Sequence, residues 1–498
     1  MKLVHVNLGA PAAERDIEKG LEQYFVESEA YRRVADRTKT IIIGNRGAGK
    51  SAIFQMLAKK AKTQGTLIID LAPEDYSYAL LRQSMASEQE GSWAKHGAYS
   101  VAWKYLIYVS VMKSIATNTS GVTKKNAIGK ITRYIRDNHA QGQPSKLSAL
   151  ISYLKRIEGV KIGKYEAALQ TRELEKLYKL EEINTLLPAL KEVLASKKVI
   201  VFVDELDRGW DASEDAQAFV AGLFQACLSI NELSPNLTAY MSLRQELYEN
   251  IPALYEDAQK YRDLIEYIRW DEDGLRKLIC ARLRYSLVRR YPKNYWNPLP
   301  SDDFLWGQFF TETLNCRQTK AFNYLVDRTL YRPREIIQFC SQVAEAAREA
   351  AQELPLDYGL ISLAEPIYSE ERAKDIAAEF RLQYPQLLKV FEAFRGMPHT
   401  LDREDLEKVC MDVIVQDRTE GDLLKWVTEM EPHSLIDVLW RIGFLRAQAV
   451  GGIKGHVRSG STYLGAYQVA SLSLNKINRF PIHPMFRTYL GTREAKAT

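Results

Sequence analysis

Thr40-Ile41-Ile42-Ile43-Gly44-Asn45-Arg46-Gly47-Ala48-Gly49-Lys50-Ser51 is the stretch on which the reading of this chain turns. A β-branched apolar run predicts a short strand over Thr38–Ile43, and it leads straight into a glycine-rich turn. Beyond the turn, Ile53, Leu57 and Ala61 recur at helical spacing, which predicts a helix over Ser51–Lys62. Glycines allow the backbone of such a turn to curl until successive N–H groups face one anion, and the helix N-terminus adds its own donors. Gly44 to Ser51 fits G-x-x-x-x-G-K-S/T. In that pattern Gly44, Asn45, Arg46, Gly47, Ala48 and Gly49 form a phosphate cradle. Lys50 reaches the β- and γ-phosphates, and the Ser51 hydroxyl is a ligand for Mg²⁺. A strand before and a helix after are the context this motif requires.

Val199-Ile200-Val201-Phe202-Val203 is a second continuous apolar run, and it ends in Asp204-Glu205. A carboxylate at the tip of a buried strand can hold the Mg²⁺ shell, and the glutamate beside it can polarise an attacking water. The two motifs together imply ATP and Mg²⁺ as ligands, with hydrolysis rather than binding alone. Asp207 and Arg208 extend the second motif, where an ion pair or a helix cap accounts for them equally well.

Further strands are expected at Thr66–Leu71, Leu237–Leu243 and Leu264–Arg269, with a helix at Phe219–Leu228. Strands alternating with helices predict an α/β fold, a three-layer parallel-sheet P-loop core. Lys50 and Asp204 stand 154 positions apart, so the core carries a large helical insertion, about 77–196. The expected organisation is an N-terminal helical segment (1–35, helical from Ala12 with Ile17, Leu21, Tyr24 and Phe25 on one face), the ATPase core (36–270), a helical lid (271–373) and a winged-helix-like domain (374–498). Lid helices are expected at Gly274–Val288 and Arg334–Glu349. Helices near Lys374–Phe394, Asp402–Val415 and Glu420–Ile442 precede a glycine-punctuated β-like tail.

Composition narrows the classes. The chain has 498 residues, 46% hydrophobic and 26% charged, with a formal net charge of +5. That is ordinary for a folded protein and excludes disorder, collagen and coiled-coil rods. No apolar run approaches the roughly 18 residues of a membrane span, and the first residues lack the apolar stretch of a signal peptide. Cys227, Cys280, Cys316, Cys340 and Cys410 are widely spaced, which argues against a zinc site or disulfide framework and for a reduced, cytoplasmic setting. His456 and His483 share no metal-ligand spacing with a cysteine or acidic cluster, so structural or surface roles are expected.

The GNRGAGKS loop, Asp204–Trp210 (DELDRGW), Ala239–Tyr248 (AYMSLRQELY), Arg332–Phe339 (RPREIIQF) and the IHPMFRTYL stretch near the end carry a resemblance over most of the chain. They resemble the AAA+/STAND group of P-loop ATPases, and a bacterial P-loop ATPase family of poorly defined role within it. The resemblance implies that Ser242 or Arg244, at the end of a sensor strand, contacts the γ-phosphate or the water. This chain lacks the usual Asn or Thr there. It implies a sensor arginine at Arg334, with Arg332 beside it, on a lid helix opened by Pro333. An arginine finger offered to a neighbouring subunit falls in the region of Arg262, where Lys260 and Arg269 are rivals. The implied function is an ATP-hydrolysing switch, acting by domain movement or homo-oligomerisation, in bacterial antiphage defence with a partner effector. Rival readings are a nucleic-acid-remodelling ATPase of the origin-recognition kind and an ATP-dependent scaffold with little hydrolysis.

Charge distribution says more than the net value. Within residues 124–164, ten Lys/Arg (Lys124, Lys125, Lys130, Arg133, Arg136, Lys146, Lys155, Arg156, Lys161 and Lys164) face only Asp137 and Glu158. This local +8, interleaved with Tyr134 and Tyr153, could neutralise nucleic-acid phosphates, meet an acidic protein, or remain solvated. Arg282, Arg284, Arg289 and Arg290 are expected to form a solvated helix face, and Tyr291–Trp296 to pack in the lid. In the C-terminal domain, the third helix expected at Ser434–Phe444 offers one basic residue. Lys454, His456 and Arg458 fall in the expected wing, for which protein docking is the preferred reading.

Overall fold

The structure is a computed structural model. It describes residues 2–71, 92–119, 124–139, 180–207, 210, 213–255, 258–290, 299–314, 317–420, 425–448, 463–469 and 472–493. Lys146, Tyr153, Lys155, Arg156, Glu158, Lys161, Lys164, Arg208, Cys316, the Tyr291–Trp296 run and the wing residues Lys454, His456 and Arg458 lie outside them. The chain divides into two compact units, Glu27–Arg269 and Met1–Val26 with Trp270–Thr498.

In the first unit, β1 (Ile41–Ile43), β2 (Leu67–Leu71), β3 (Val199–Val203), β4 (Leu237–Leu243) and β5 (Ile265–Tyr267) form one sheet in the order β2-β3-β4-β1-β5. Every pairing is parallel: Ile41 lies opposite both Met241 and Ile265, and Val199 opposite both Leu67 and Leu237. β1, β3 and β4 are buried along their whole length, as parallel strands covered on both faces must be. Alternation of side chains divides the two covers. Phe202 and Tyr240 meet Phe54 of helix Lys50–Thr63, and the Tyr240 hydroxyl donates to Val34 O of helix Glu29–Ala35 at 3.0 Å. On the opposite face Val201, Ala239 and Met241 share a core with helices Ser92–Thr117 and Glu214–Asn231. This is the three-layer α/β fold expected from the strand pattern.

Between β2 and β3 the described residues form helices Ser92–Thr117, Lys125–Asn138 and Leu180–Leu194, so the insertion is helical where it is described. The long helix Ser92–Thr117 packs so tightly on Glu214–Asn231 that a Cβ on Gly222 would sit 2.6 Å from Tyr99 Cβ and 2.8 Å from Ser100 N.

The N-terminal segment corrects the expectation of one helical stretch to Ala35. Helix Ala13–Lys19 stops at Gly20, whose φ of +103° is left-handed, and Leu21–Tyr24 is a single turn. Ser28 then caps a separate helix, Glu29–Ala35, by accepting the Tyr31 N–H at 3.2 Å. Of the expected face Leu21 and Tyr24 are buried and Ile17 and Phe25 half-buried, and the charged Asp16 is buried beside them. Asp16 accepts from Arg282 at 2.8 Å and from the Tyr24 hydroxyl at 2.8 Å. Arg282 is therefore buried, and Arg284 binds Asp302 at 2.6 Å. The solvated-face reading survives only at Arg289 and Arg290.

The second unit has one continuous apolar core running from Leu3 to Leu490. Its main helices are Glu272–Arg290, Pro333–Glu349 and Tyr358–Glu379. The last of these passes through the boundary expected at 373/374. Ser369, on it, donates to Met485 O at 2.6 Å, which ties this helix to the final helix Pro484–Leu490. Two expected helices are broken. The first resumes at Leu387 after Glu379, and the second restarts at Pro432, a residue suited to a first helical turn. Strand Thr400–Asp402 pairs antiparallel with Arg479–Pro481, and Ala447–Gln448 with Tyr463–Leu464. With helices Leu387–Glu392, Arg403–Glu420 and Pro432–Arg441 this gives a winged-helix-like order. The third helix buries Leu435, Ile436, Val438, Leu439 and Trp440.

Among the described residues no helix is long and apolar enough to cross a membrane. Cys227, Cys280, Cys340 and Cys410 are buried thiols.

Candidate nucleotide site

The glycine-rich loop leaves the end of β1 and enters helix Lys50–Thr63, as the sequence pattern requires. Its curl depends on Gly47 at φ +79° and Gly49 at φ +101°, angles that side chains other than glycine rarely adopt. Gly44 lies close to its neighbours: an added Cβ would meet Ala48 Cβ at 3.3 Å and Ile268 Cβ at 3.4 Å. Asn45 and Arg46 are half-buried on the loop and Ala48 is buried. Lys50 folds back over the cradle, donating from Nζ to Gly44 O at 2.7 Å and Asn45 O at 3.1 Å.

Ser51 opens towards β3. Its hydroxyl donates to Asp204 Oδ2 at 2.9 Å. The other carboxylate oxygen, Asp204 Oδ1, takes the Glu205 N–H at 2.9 Å and the Ser242 hydroxyl in a short hydrogen bond. Three donors thus converge on one carboxylate, from the first turn of helix Lys50–Thr63, from the residue after Asp204 and from β4. Sheet order is the reason, since β4 lies between β1 and β3 and its buried Ser242 faces Asp204. Of the two sensor candidates, Ser242 is the one bonded to the Asp204 carboxylate. Arg244 instead forms an ion pair with Asp207, so the ion-pair reading of Asp207 holds.

Glu205 follows with φ +58°, a left-handed backbone that costs a non-glycine residue on the order of 1 kcal/mol. Such outliers concentrate at functional sites. Burial pushes the Lys50 ammonium down to about 8, against the attraction of Asp204 and Glu246, while Arg244 adds to the lowering. Glu246 is the electrostatic neighbour that sequence reasoning missed. It lies two residues beyond Arg244, inside the Ala239–Tyr248 stretch, where only Ser242 and Arg244 drew a role.

The remaining arginines separate. Arg262 is exposed in the turn Arg262–Leu264 that leads into β5, at the end of the sheet opposite the loop, and Lys260 also precedes that strand. Arg269 follows β5, at the loop's end of the sheet, 5.8 Å from the Tyr267 ring. Arg334 and Arg332 belong to the second unit. Arg334 is half-buried in the first turn of helix Pro333–Glu349. Arg332 is buried and donates to Glu379 at 2.8 Å, with Glu335 at 3.7 Å.

Residues 273–377 match the family of the FunZ-associated C-terminal helical domain. A protein of Escherichia coli (strain K12) named for the transposon gamma-delta, of 80.3 kDa, is 21% identical over 490 residues. The alignment covers 96% of this chain, which spans 66% of that relative's length. Among solved structures, the Aeropyrum pernix ORC1 protein in complex with DNA aligns with 11% identity over 93% of this chain and 92% of its own, at a TM-score of 0.36. The Aeropyrum pernix ORC2 protein in its ADPNP–ADP complexes aligns with 10% identity over 96% and 92%, at 0.34. At scores this low it is the strand order and the loop geometry that identify a P-loop ATPase fold.

Proposed function

We propose that the chain binds ATP with Mg²⁺ and hydrolyses it to drive a switch. The observation that carries this is the 2.9 Å approach of Ser51 Oγ to Asp204 Oδ2, which brings the two phosphate-site motifs together. A hydroxyl and a carboxylate are the hard oxygen donors that Mg²⁺ takes. Among the described residues no group of three His, Cys, Asp or Glu could hold a metal, so such an ion would complete its shell with phosphate oxygens and water. Bound there, Mg²⁺ would offset the charge of the β- and γ-phosphates.

The chain's own residues supply the rest. The loop N–H groups and Lys50 bind the phosphates, and Ser242 holds the Asp204 carboxylate in place. Glu205 orients the attacking water and accepts its proton. The reading also assigns to Arg334 and Arg262 the sensor and finger roles that the family resemblance implies, and a homo-oligomer or effector partner for the output. Antiphage defence belongs to the same proposal, and the resemblance is its support.

The test is nucleotide binding and phosphate release, with mass measurement in the presence and absence of a non-hydrolysable ATP analogue. Parent protein should bind and hydrolyse ATP only with Mg²⁺, Lys50→Ala should lose binding, and the analogue should change the mass. Unchanged binding and mass in Lys50→Ala would sink the proposal. Binding without hydrolysis in the parent would leave an ATP-dependent scaffold instead.

A further inference from the structure

Helix Lys125–Asn138 has two unlike sides. Ala127 and Ile131 are buried, with Ile128, Tyr134 and Ile135 packed beside them, against helices Ser92–Thr117 and Leu180–Leu194. Its outward side carries Lys125, Lys130, Arg133 and Arg136, all exposed, and no exposed apolar side chain. The helix's one acidic residue, Asp137, is paired to its neighbour Arg136 at 3.0 Å. Glu192 on the adjoining helix lies 3.7 Å from Lys124, at the edge of the face.

Gly129 lies in the middle of this cationic side, one turn from both Lys125 and Arg133. Glycine is unfavourable inside a helix. Here no left-handed φ requires it, and a Cβ would meet nothing within 4 Å. Packing therefore does not explain it. What the bare backbone does allow is close approach by another chain, flanked by the exposed hydroxyl of Thr132.

The composition of the face selects the partner. Protein interfaces bury an apolar core depleted of charge, whereas nucleic-acid interfaces are polar and strongly positive. Lys125 to Arg136 spans about 17 Å at the helical rise, the length of roughly five phosphates along one strand. We propose that this face binds the sugar–phosphate backbone of a nucleic acid without reading its sequence. This goes beyond the nucleotide-switch reading and stands without it.

The experiment measures binding of the full chain to a 30-bp duplex DNA and to a 30-nucleotide RNA by fluorescence anisotropy, over a series of salt concentrations. The comparison protein is K125Q/K130Q/R133Q/R136Q, whose changes are all on exposed side chains. It should bind at least tenfold more weakly, and its slope of log affinity against log salt should be shallower by about 3. Thermal melting and ATP affinity should stay as in the parent. Gly129→Glu, a second and smaller change, should weaken binding at least threefold, and Gly129→Ala, which covers the bare backbone with a methyl, should weaken it by less. Loss confined to duplex or to RNA supports the face and names its polymer. Parental affinity and salt slope in the quadruple variant would overturn the proposal. So would competition by a polyglutamate of matched charge as strong as that by DNA.

Discussion

Ser242 Oγ donates to Asp204 Oδ1, joining two residues that are 38 positions apart and sit on neighbouring strands. The same carboxylate takes the Ser51 hydroxyl from the glycine-rich loop. Because β4 separates β1 from β3, its last residues must pass between the two motifs. A small hydroxyl residue at that point supports the Asp204 carboxylate that Ser51 also reaches. Replacing Ser242 by alanine removes one of three donors to Asp204. Hydrolysis should slow by about tenfold, in line with one lost hydrogen bond to a charged group. ATP affinity should change less than threefold by equilibrium titration.

Glu205 should behave differently. Its position at the end of β3 suits a water-orienting base, and Glu205→Gln keeps size and shape while removing the proton acceptor. Hydrolysis should fall by about 10²–10⁴-fold with binding retained. Retained turnover in that variant would move the base elsewhere.

Arg332 and Arg334 are separated by one proline but differ in burial, and their replacement should differ in cost. Arg332 is enclosed with Glu335 and Glu379, and burial raises the Glu335 carboxyl despite the opposing guanidinium. Arg332→Ala takes a buried cation away from two buried carboxylates and should cost about 3–5 kcal/mol in denaturant unfolding. Arg334→Ala, at a half-buried first-turn position, should cost less than Arg332→Ala in the same measurement.

Gly222→Ala tests the layer that supports the sheet. The new methyl would overlap Tyr99 Cβ and the backbone of Ser100. Overpacking of this kind costs about 1–3 kcal/mol, read as a lower melting temperature of the unit.

The buried His483 makes stability depend on acid. Burial holds its pKa well below the ordinary value of 6.5, and the cations Arg446, Arg487 and Arg328 lower it further. Its Nδ1 accepts the Met485 N–H at 3.2 Å, while Nε2 faces Arg446 at 2.9 Å and the Tyr467 hydroxyl at 3.0 Å. Below about pH 6.5 the unfolded chain takes up a proton that the folded one refuses. Stability is therefore complete above that pH and falls as pH drops, by up to about 1.4 kcal/mol per unit. Denaturant unfolding of His483→Asn should show a flatter acid limb.

Much of this protein was written in local patterns. The apolar runs at Ile41–Ile43 and Val199–Val203, the glycine loop and the Asp204-Glu205 pair identify a P-loop core because a phosphate site needs those residue types at those spacings. Such constraints act within a few residues, so one stretch of sequence can state them. Other features join residues with no common period. Asp16 is buried because Arg282 meets it from 266 positions away, and no helical pattern in Ala13–Lys19 announces a buried charge. The core running from Leu3 to Leu490 is likewise a matter of which apolar faces meet. Arg332 and Arg334 read alike in sequence, and only the folded unit buries Arg332 against Glu335 and Glu379 while leaving Arg334 half-buried. Local sterics and ligand chemistry are legible along the chain; pairing of buried charges across it is set by tertiary packing, where desolvation makes each partner depend on the other.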